Sequence, residues 1–555
     1  MSSDSFANVA RFLPLAAERV PDHAAVRVPL AGSGNRKIAY HSLSFAELEV
    51  ESNAVVVLLL ARGVTRGMRV LLMVKPGLDL VLVCFALFKI GAVPVVIDPG
   101  MGVRNFLRCV RRSQPEAVVG IRLAHRLSRV LFPAFRTVRI RVVTGEVAFQ
   151  RTVTELRRRI EIEGSPPVAD SAAEELAAIL FTSGSTGPPK GVAYEHGMFA
   201  AQVRLIRDQY GVKPGEVDLP MLPIFALFNP ALGMTTVVPQ MNPSKPATVD
   251  PKLIVDAILR WDVTNSFGSP VLWTKVGRYC REKRIEMPSL RRILIAGAPV
   301  SPGLIRLFDA VLPNGEIHTP YGATEALPVS SISGSEILGD TWKLTEKGKG
   351  TCVGALFPEM DARIVTVSDE PGFGYDKSLR FPPGKIGEIV VRGPVVTREY
   401  DHLERDTAAA KIADGEDFWH RMGDLGYLDK SGRLWFCGRK AERVRAVGGD
   451  LYTDCCESIF NRHPDVFRSA LIGLGPAGEA VPAIVVEPEK GRFPKRRSER
   501  KRFTAELRAL AREETLTAGI ETFFFDSAFP VDVRHNAKIH RLALTRKYQG
   551  RLRLV

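Results

Sequence analysis

The chain runs to 555 residues with a formal net charge of +15, 45% hydrophobic and 25% charged residues. That length is more than one core can serve and predicts two or more domains, while the ordinary apolar content excludes a disordered chain. The seven cysteines, at 84, 109, 280, 352, 437, 455 and 456, make no CxxC pair and are odd in number, which excludes a disulfide framework and a zinc site and leaves reduced core thiols.

The amino terminus, MSSDSFANVARFLPLAAERV, is broken by Asp4, Arg11 and Glu18 and has no apolar h-region, so no signal or transit peptide is read and a cytoplasmic protein is expected. Ser44 to Gly63 reads as a helix, opened by a Ser-x-x-Glu capping box at Ser44 and Glu47 and closed at Gly63. Val70 to Val74, Leu80 to Phe88 and Val93 to Ile97 then read as strand, helix and strand. Lys75, Pro76, Gly77, Asp79 and Lys89 interrupt this apolar region and exclude a membrane span.

The strand-like run Leu176 to Phe181 leads into FTSGSTGPPKGV, residues 181 to 192. Its glycines permit close backbone approach, and its hydroxyls, bare N–H groups and Lys190 suit it to wrapping phosphate oxygens. Lys190 follows two prolines and precedes Gly191, so this is not a Walker A loop; the competing reading is a Ser/Gly linker. Leu253, Ile254, Ala257, Ile258 and Trp261 put an apolar stripe on a helix, and Arg292 to Ile295 reads as a buried strand ending at Gly297-Ala298-Pro299. YGATE, Tyr321 to Glu325, is expected just past another such run, so that one crevice at the carboxyl ends of the strands receives all three segments.

After about residue 355 the texture turns to β-branched stretches, Ala362 to Val367 and Ile386 to Val391. Past Gly438 come strands at Ala470 to Gly473, Ala483 to Val486 and Thr522 to Phe525, with a charged helix from about Ser498 to Glu514. The run KGRFPKRRSERKR at 490 to 502 sets eight basic residues against Glu499. It reads as a solvated segment able to dock an acidic partner or an anionic membrane, and with no RNA motif or helix-turn-helix beside it nucleic acid is not expected.

Three ordered motifs, the loop at 181 to 192, YGATE and GDLGYLDKSGRLWFCGRK at 423 to 440, resemble those of the adenylate-forming superfamily of acyl-CoA synthetases, peptide-synthetase adenylation domains and luciferases. The resemblance covers nearly the whole chain. It implies an α/β fold: a large amino-terminal domain of parallel-sheet subdomains with a small β-rich subdomain, residues 1–438, and a small mobile α+β domain, residues 439–555. It also implies activation of a carboxylate by ATP with Mg²⁺, giving an acyl-adenylate and pyrophosphate.

On that resemblance Thr182, Ser183, Gly184, Ser185, Thr186, Gly187 and Lys190 hold the β- and γ-phosphates, Thr324 touches the α-phosphate and Glu325 binds Mg²⁺. Glu325 has a competing reading as an acid at a helix N-terminus. Tyr321 with Gly322 is placed against adenine, Gly297, Ala298 and Pro299 line its other side, and Asp424 and Arg439 hold the ribose. Lys538, in VDVRHNAKIHRLAL, matches the mobile lysine that reaches the adenylate, with Ala537 where the family has glycine.

Three departures bear on the product. The aromatic-His of the acyl pocket is Phe225-Ala226, which with Phe228 and Gly268 leaves an apolar pocket for a greasy acid. The usual Pro-x-Glu-Ile reads Thr453-Asp454-Cys455-Cys456, and Ala441 stands at the hinge where Asp or Lys is common. TDCCE together with RHNAKIHRLAL resembles the olefin β-lactone synthetases of bacterial long-chain hydrocarbon synthesis. That likeness implies a 2-alkyl-3-hydroxy fatty acid whose own hydroxyl closes a β-lactone, with other enzymes of the same pathway as partners; a long-chain acyl-CoA or acyl-AMP ligase is the alternative.

Overall fold

The computed structural model describes residues 7–30, 38–181, 188–222, 227–242, 246–369, 381–531 and 539–550. The expected α/β architecture is what it contains: two large sheets in the first 440 residues and a small three-stranded sheet after them. The first large sheet orders its strands Ile140–Val143, Ala117–Gly120, Arg69–Met73, Val93–Val96, Leu176–Phe181 and Gly191–Glu195. All neighbours are parallel except the last pair, where Phe181 faces Gly191 across an antiparallel hairpin. Parallel strands need crossovers, and helices cover the sheet. The helix Leu78–Ile90 is buried at every position from Val81 to Ile90. That run includes Lys89, whose ammonium lies 2.7 Å from Glu49, 2.7 Å from Ser52 and 2.6 Å from Asn53 on the helix Phe45–Ala61. Burial pulls Lys89 down to about 8, against the pull of Glu49. The capping box of that second helix is complete, with Ser44 and Glu47 each bonding the other's backbone N–H.

The second sheet is parallel in its middle, through Ala24–Pro29, Thr235–Val237, Val217–Pro220, Asn265–Gly268, Arg292–Ile295 and Glu316–Ala323. From there it turns antiparallel, through Ala326–Ser333, Thr351–Leu356, Leu434–Arg439, Asp417–Leu428, Gly387–Arg392 and Asp361–Val365. The β-rich stretch after residue 355 is thus continuous with this sheet, through the pairs Ser330–Leu356 and Ser331–Ala355.

One short strap, residues 396–401, stitches the two sheets together. On one side Asp401 N–H bonds Gly191 O at 2.8 Å and Ala193 N–H bonds Glu399 O at 3.2 Å; on the other, Thr397 N–H bonds Glu325 O at 2.9 Å. Arg69, at the start of a first-sheet strand, closes on Asp401 at 2.8 Å.

Past Lys440 the sheet Val466–Leu474, Val481–Pro488 and Thr522–Phe525 packs under the helix Arg497–Glu513, which buries Phe503, Leu507 and Ala511 at four-residue spacing. The helix Thr453–Phe460 leans back on the large sheet: Thr351 Oγ1 donates to Asp454 at 2.5 Å, and Cys455 and Cys456 are fully buried. All seven cysteines are free and buried, as the sequence predicts.

Candidate active site

Thr182, Ser183, Gly184, Ser185, Thr186 and Gly187, together with Phe225, Ala226 and Lys538, lie outside the described residues. The frame that presents the phosphate-type loop is described. It joins two antiparallel strands, and a Cβ on Gly191 would stand 2.9 Å from the Phe181 ring, so any larger residue there would have to displace that ring. Lys190 projects beside it, 2.8 Å from Asp406 and 4.7 Å from the centre of the Tyr400 ring.

YGATE does not sit past the end of a strand, as the apolar pattern predicts. Tyr321 lies inside Glu316–Ala323, and Thr324-Glu325 form the turn of an antiparallel hairpin in which Ala323 faces Ala326. The helix N-terminus reading of Glu325 therefore falls, since a strand follows it. The chain pairs back on itself here because Gly322 has no side chain: a Cβ would stand 2.5 Å from Ala326 O. The turn is held from below by Tyr194, which donates to Thr324 O at 2.6 Å.

Glu325 Oε1 accepts a 2.9 Å hydrogen bond from Tyr400, the same ring that lies under Lys190. Burial, and then Glu325, raises the Tyr400 phenol, so it stays a donor. Behind this pair Lys411 bonds Thr397 O on the strap and lies 3.1 Å from His420 Nδ1. Burial pulls Lys411 down to about 7, opposed by Glu325. It drives His420 well below its ordinary value, with Lys411 adding to the effect. Neither Tyr400 nor the Lys411 and His420 pair stands out in the sequence, where Tyr400 is one aromatic in a charged run.

The cluster around Asp424 is equally compact. Asp424 and Arg439 face each other on adjoining strands, with Nη1 2.8 Å from Oδ1. Tyr321 donates to the other oxygen, Oδ2, at 2.6 Å. Asp424 is 3% exposed. Its charge keeps Arg439 protonated, while burial and the same carboxylate raise Tyr321. Tyr321 thus fixes the carboxylate as well as offering a ring. Gly297, with φ +91°, turns the chain after Arg292–Ile295, and the register Leu294 to His318 extends to bring it level with Tyr321. Gly297 and Pro299 are exposed and Ala298 half-buried, open to a ligand beside the Tyr321 strand.

Ala296 N–H bonds Gly268 O at 3.3 Å, so Gly268 adjoins the same turn; a Cβ there would meet Trp273 Nε1 at 2.7 Å. Phe228 is 9% exposed and packs on Phe199 with ring centres 5.9 Å apart. In the carboxy-terminal part Arg541, three residues after Lys538, grips Glu457 with two 2.6 Å hydrogen bonds and Glu442 with one of 3.0 Å. It ties the last helix to the residues just past the expected hinge.

Among the described residues no group of three or more His, Cys, Asp or Glu side chains gathers to hold a metal. A single carboxylate suits Mg²⁺ nonetheless, because that ion takes one or two carboxylates together with substrate phosphates and water. Among the described residues the second oxygen of Glu325 accepts no hydrogen bond, which leaves it available for such a role.

A family model described as AMP-binding enzyme matches residues 13–401. The olefin beta-lactone synthetase of Stenotrophomonas maltophilia strain K279a is 43% identical over 542 residues, 96% of each chain, and that of Xanthomonas campestris pv. campestris is 43% identical over 541 residues, also 96% of each. The 4-chlorobenzoate–CoA ligase of Arthrobacter sp. is 27% identical over 461 residues, 81% of each chain. Among solved structures, the amide bond synthetase McbA from Marinactinospora thermotolerans superposes with a TM-score of 0.76 at 21% identity, covering 97% of this chain and 99% of its own. ATP-bound MatB from Rhodopseudomonas palustris gives 0.75 at 21%, covering 98% and 99%. At that identity these two speak for the fold.

Proposed function

Because this chain belongs to the AMP-binding enzyme family, we propose that it uses ATP to activate a long-chain 2-alkyl-3-hydroxy fatty acid and closes it to a β-lactone, with release of pyrophosphate and AMP. The observation that carries this reading is the 43% identity to two olefin beta-lactone synthetases over nearly the whole length. In the first half-reaction a carboxylate oxygen attacks the α-phosphorus of ATP and pyrophosphate leaves. In the second, the 3-hydroxyl oxygen attacks the acyl carbon, AMP leaves with the former carboxylate oxygen, and the hydroxyl proton passes to a base. The tethered hydroxyl has a high effective molarity, which offsets part of the ring strain.

In this mechanism Asp424, oriented by Tyr321 and Arg439, accepts the ribose hydroxyls, a use suited to a buried carboxylate fixed on both sides. Gly297, Ala298, Pro299, Tyr321 and Gly322 receive adenine. Residues 182–187 and Lys190 surround the β- and γ-phosphates, Thr324 meets the α-phosphate, and Lys538 comes from the carboxy-terminal domain to the developing charge. Glu325 would hold Mg²⁺, which neutralises phosphate charge when bound, and Tyr400 keeps that carboxylate aimed. The acid lies against Phe225, Ala226, Phe228 and Gly268. The division at 438/439 falls at the end of the strand Leu434–Arg439, where a mobile second domain is compatible with the architecture. The exposed basic run 490–502 is assigned to an acidic partner enzyme of the same pathway.

The test is product mass and AMP release with a synthetic 2-alkyl-3-hydroxy acid and with a plain fatty acid, each with and without CoA. The expected product is lighter than the hydroxy acid by one water and needs no CoA, while the plain acid stops at the adenylate. A CoA requirement, with a thioester of the plain acid formed at a comparable rate, would overturn the reading in favour of a long-chain acyl-CoA ligase.

A further inference from the structure

The helix Arg122–Val130 is assembled inside out. Its buried face is small and polar: Ala124, His125 and Ser128, with His125 Nε2 3.1 Å from Gly120 O and 3.0 Å from Val142 O, and Ser128 bonded by its hydroxyl to His125 O. Its large apolar side chains face outward. Leu123 is 58% exposed, Leu127 41% and Val130 79%, and Phe132, just beyond, is 57% exposed. The spacing of four and then three residues lines Leu123, Leu127 and Val130 into one row along the helix, about 10 Å long.

A row of arginines runs beside it. At 100° per residue Arg122, Arg126 and Arg129 fall along one flank of this row, between it and the His125 side of the helix. Residues 104 to 141 hold ten arginines, no lysine, and Glu116 as the one acid. That is a net excess of nine positive charges over 38 residues, against seven over the 13 residues of 490–502, so the helix sits within a long basic stretch while the later run is the denser one. Arg122 is engaged by Glu146 at 2.5 Å. Arg104, Arg108, Arg126, Arg129, Arg136 and Arg139 are exposed and make no ion pair among the described residues.

We propose that this face docks the protein on an anionic lipid surface, with Leu123, Leu127, Val130 and Phe132 entering the acyl boundary and the arginines meeting lipid phosphates. Exposed apolar rows beside unpaired cations are the signature of helices that lie in the plane of a membrane interface. Charge complementarity selects this occupant. A second copy of the chain would bring one dense arginine field against another. Nucleic acid would satisfy the arginines and leave the leucine row in water. A bilayer of anionic lipid offers phosphates and hydrocarbon side by side along the whole helix. No described helix is long and apolar enough to cross a membrane, so the contact is with the surface. The inference stands apart from the substrate proposed above, because it rests on the outer face of one helix and its test needs no substrate.

The experiment is co-sedimentation of the full chain with vesicles of phosphatidylcholine and phosphatidylglycerol, one to one, and of phosphatidylcholine alone, at 0.1 M salt. The expected partition onto the anionic vesicles is at least tenfold stronger and weakens as salt rises. Leu123→Ser/Leu127→Ser/Val130→Ser should lower it at least tenfold, and so should Arg126→Gln/Arg129→Gln/Arg136→Gln/Arg139→Gln. Arg497→Gln/Arg500→Gln/Lys501→Gln, which removes charge where no leucine row accompanies it, should leave partition unchanged. Because the native cysteines are all buried, Leu127→Cys can be labelled there with an environment-sensitive dye. Its emission should shift to the blue on anionic vesicles even if the serine variant folds poorly. The proposal is overturned by equal partition on both vesicles or none, by loss in the 497 variant with the serine variant unaffected, or by a labelled 127 that does not respond. It is equally overturned by tighter binding to duplex DNA than to anionic vesicles at the same salt, or by a dimer in sedimentation velocity that the serine variant disperses.

Discussion

The phenol of Tyr321 donates a 2.6 Å hydrogen bond to Asp424, 103 residues further along the chain. Loss of a hydrogen bond to a charged acceptor typically costs about 1.5–3 kcal/mol. Tyr321→Phe keeps the ring and removes that donor, and is expected to raise KM for ATP about tenfold with a smaller change in kcat. Tyr321→Ala should cost clearly more. If Phe is silent and Ala severe in ATP titrations, the ring alone matters and the link to Asp424 is incidental.

Glu325→Gln keeps the shape and the contact with Tyr400 but loses a charge. ATP consumption is expected to fall steeply, with partial recovery at raised Mg²⁺, whereas Tyr400→Phe should shift the Mg²⁺ requirement more than the maximal rate. Full activity of the Gln variant at low Mg²⁺ would remove Glu325 from the metal site.

Lys411 links pH to stability. Its folded value, near 7, lies below the ordinary lysine value of 10.5, so between those two limits the unfolded chain binds more protons. The buried ammonium costs stability in full below pH 7, and that cost fades as pH rises toward 10. The parent should therefore gain stability over this window relative to Lys411→Met, whatever their difference at pH 7. Parallel denaturation curves for the two proteins from pH 7 to 10 would reject the assignment.

Arg541→Ala removes the guanidinium that Glu442 and Glu457 share, leaving Glu457 the Leu471 N–H but no cation. Breaking a largely buried pair of this kind costs about 3–5 kcal/mol, which denaturant unfolding of the carboxy-terminal part should register. Lys538→Ala, by contrast, should melt normally and abolish pyrophosphate exchange into ATP, because the role proposed for it is confined to transition-state charge. Exchange at the parent rate in a normally melting protein would strike Lys538 from the mechanism.

Where burial on both faces forces a continuous apolar run, the sequence is easy to read: Leu176–Phe181 and Arg292–Ile295 are strands over the predicted residues, and so is the half-buried Thr522–Phe525. The capping box at Ser44 is equally local and equally visible. YGATE is misplaced by the same logic. Its strand carries Pro320 and Gly322, which conceal it, and the hairpin that follows depends on an absent Cβ rather than on an apolar pattern. The site residues that the motifs do not contain, Tyr400, Lys411 and His420, are set by contacts with distant segments, and no spacing records those. Leu123, Leu127 and Val130 have the spacing of a buried face. Only the small residues beneath them reveal that the helix is turned outward.

The strap at 396–401 has a consequence for how the protein is made. It is the part that fixes the strand after the phosphate-type loop to the Thr324-Glu325 turn, and it arrives some two hundred residues after the first of these. A chain still on the ribosome with fewer than about four hundred residues exposed holds both segments but nothing to join them. Asp424 and Arg439 come later still. Closing contacts at such separation is slow, and amino-terminal units fold before it happens. If the proposed assignment of Glu325 and Asp424 holds, the first sheet matures without a nucleotide site, and ATP binding is expected to arise late in synthesis, only after both carboxylates and their partners have emerged.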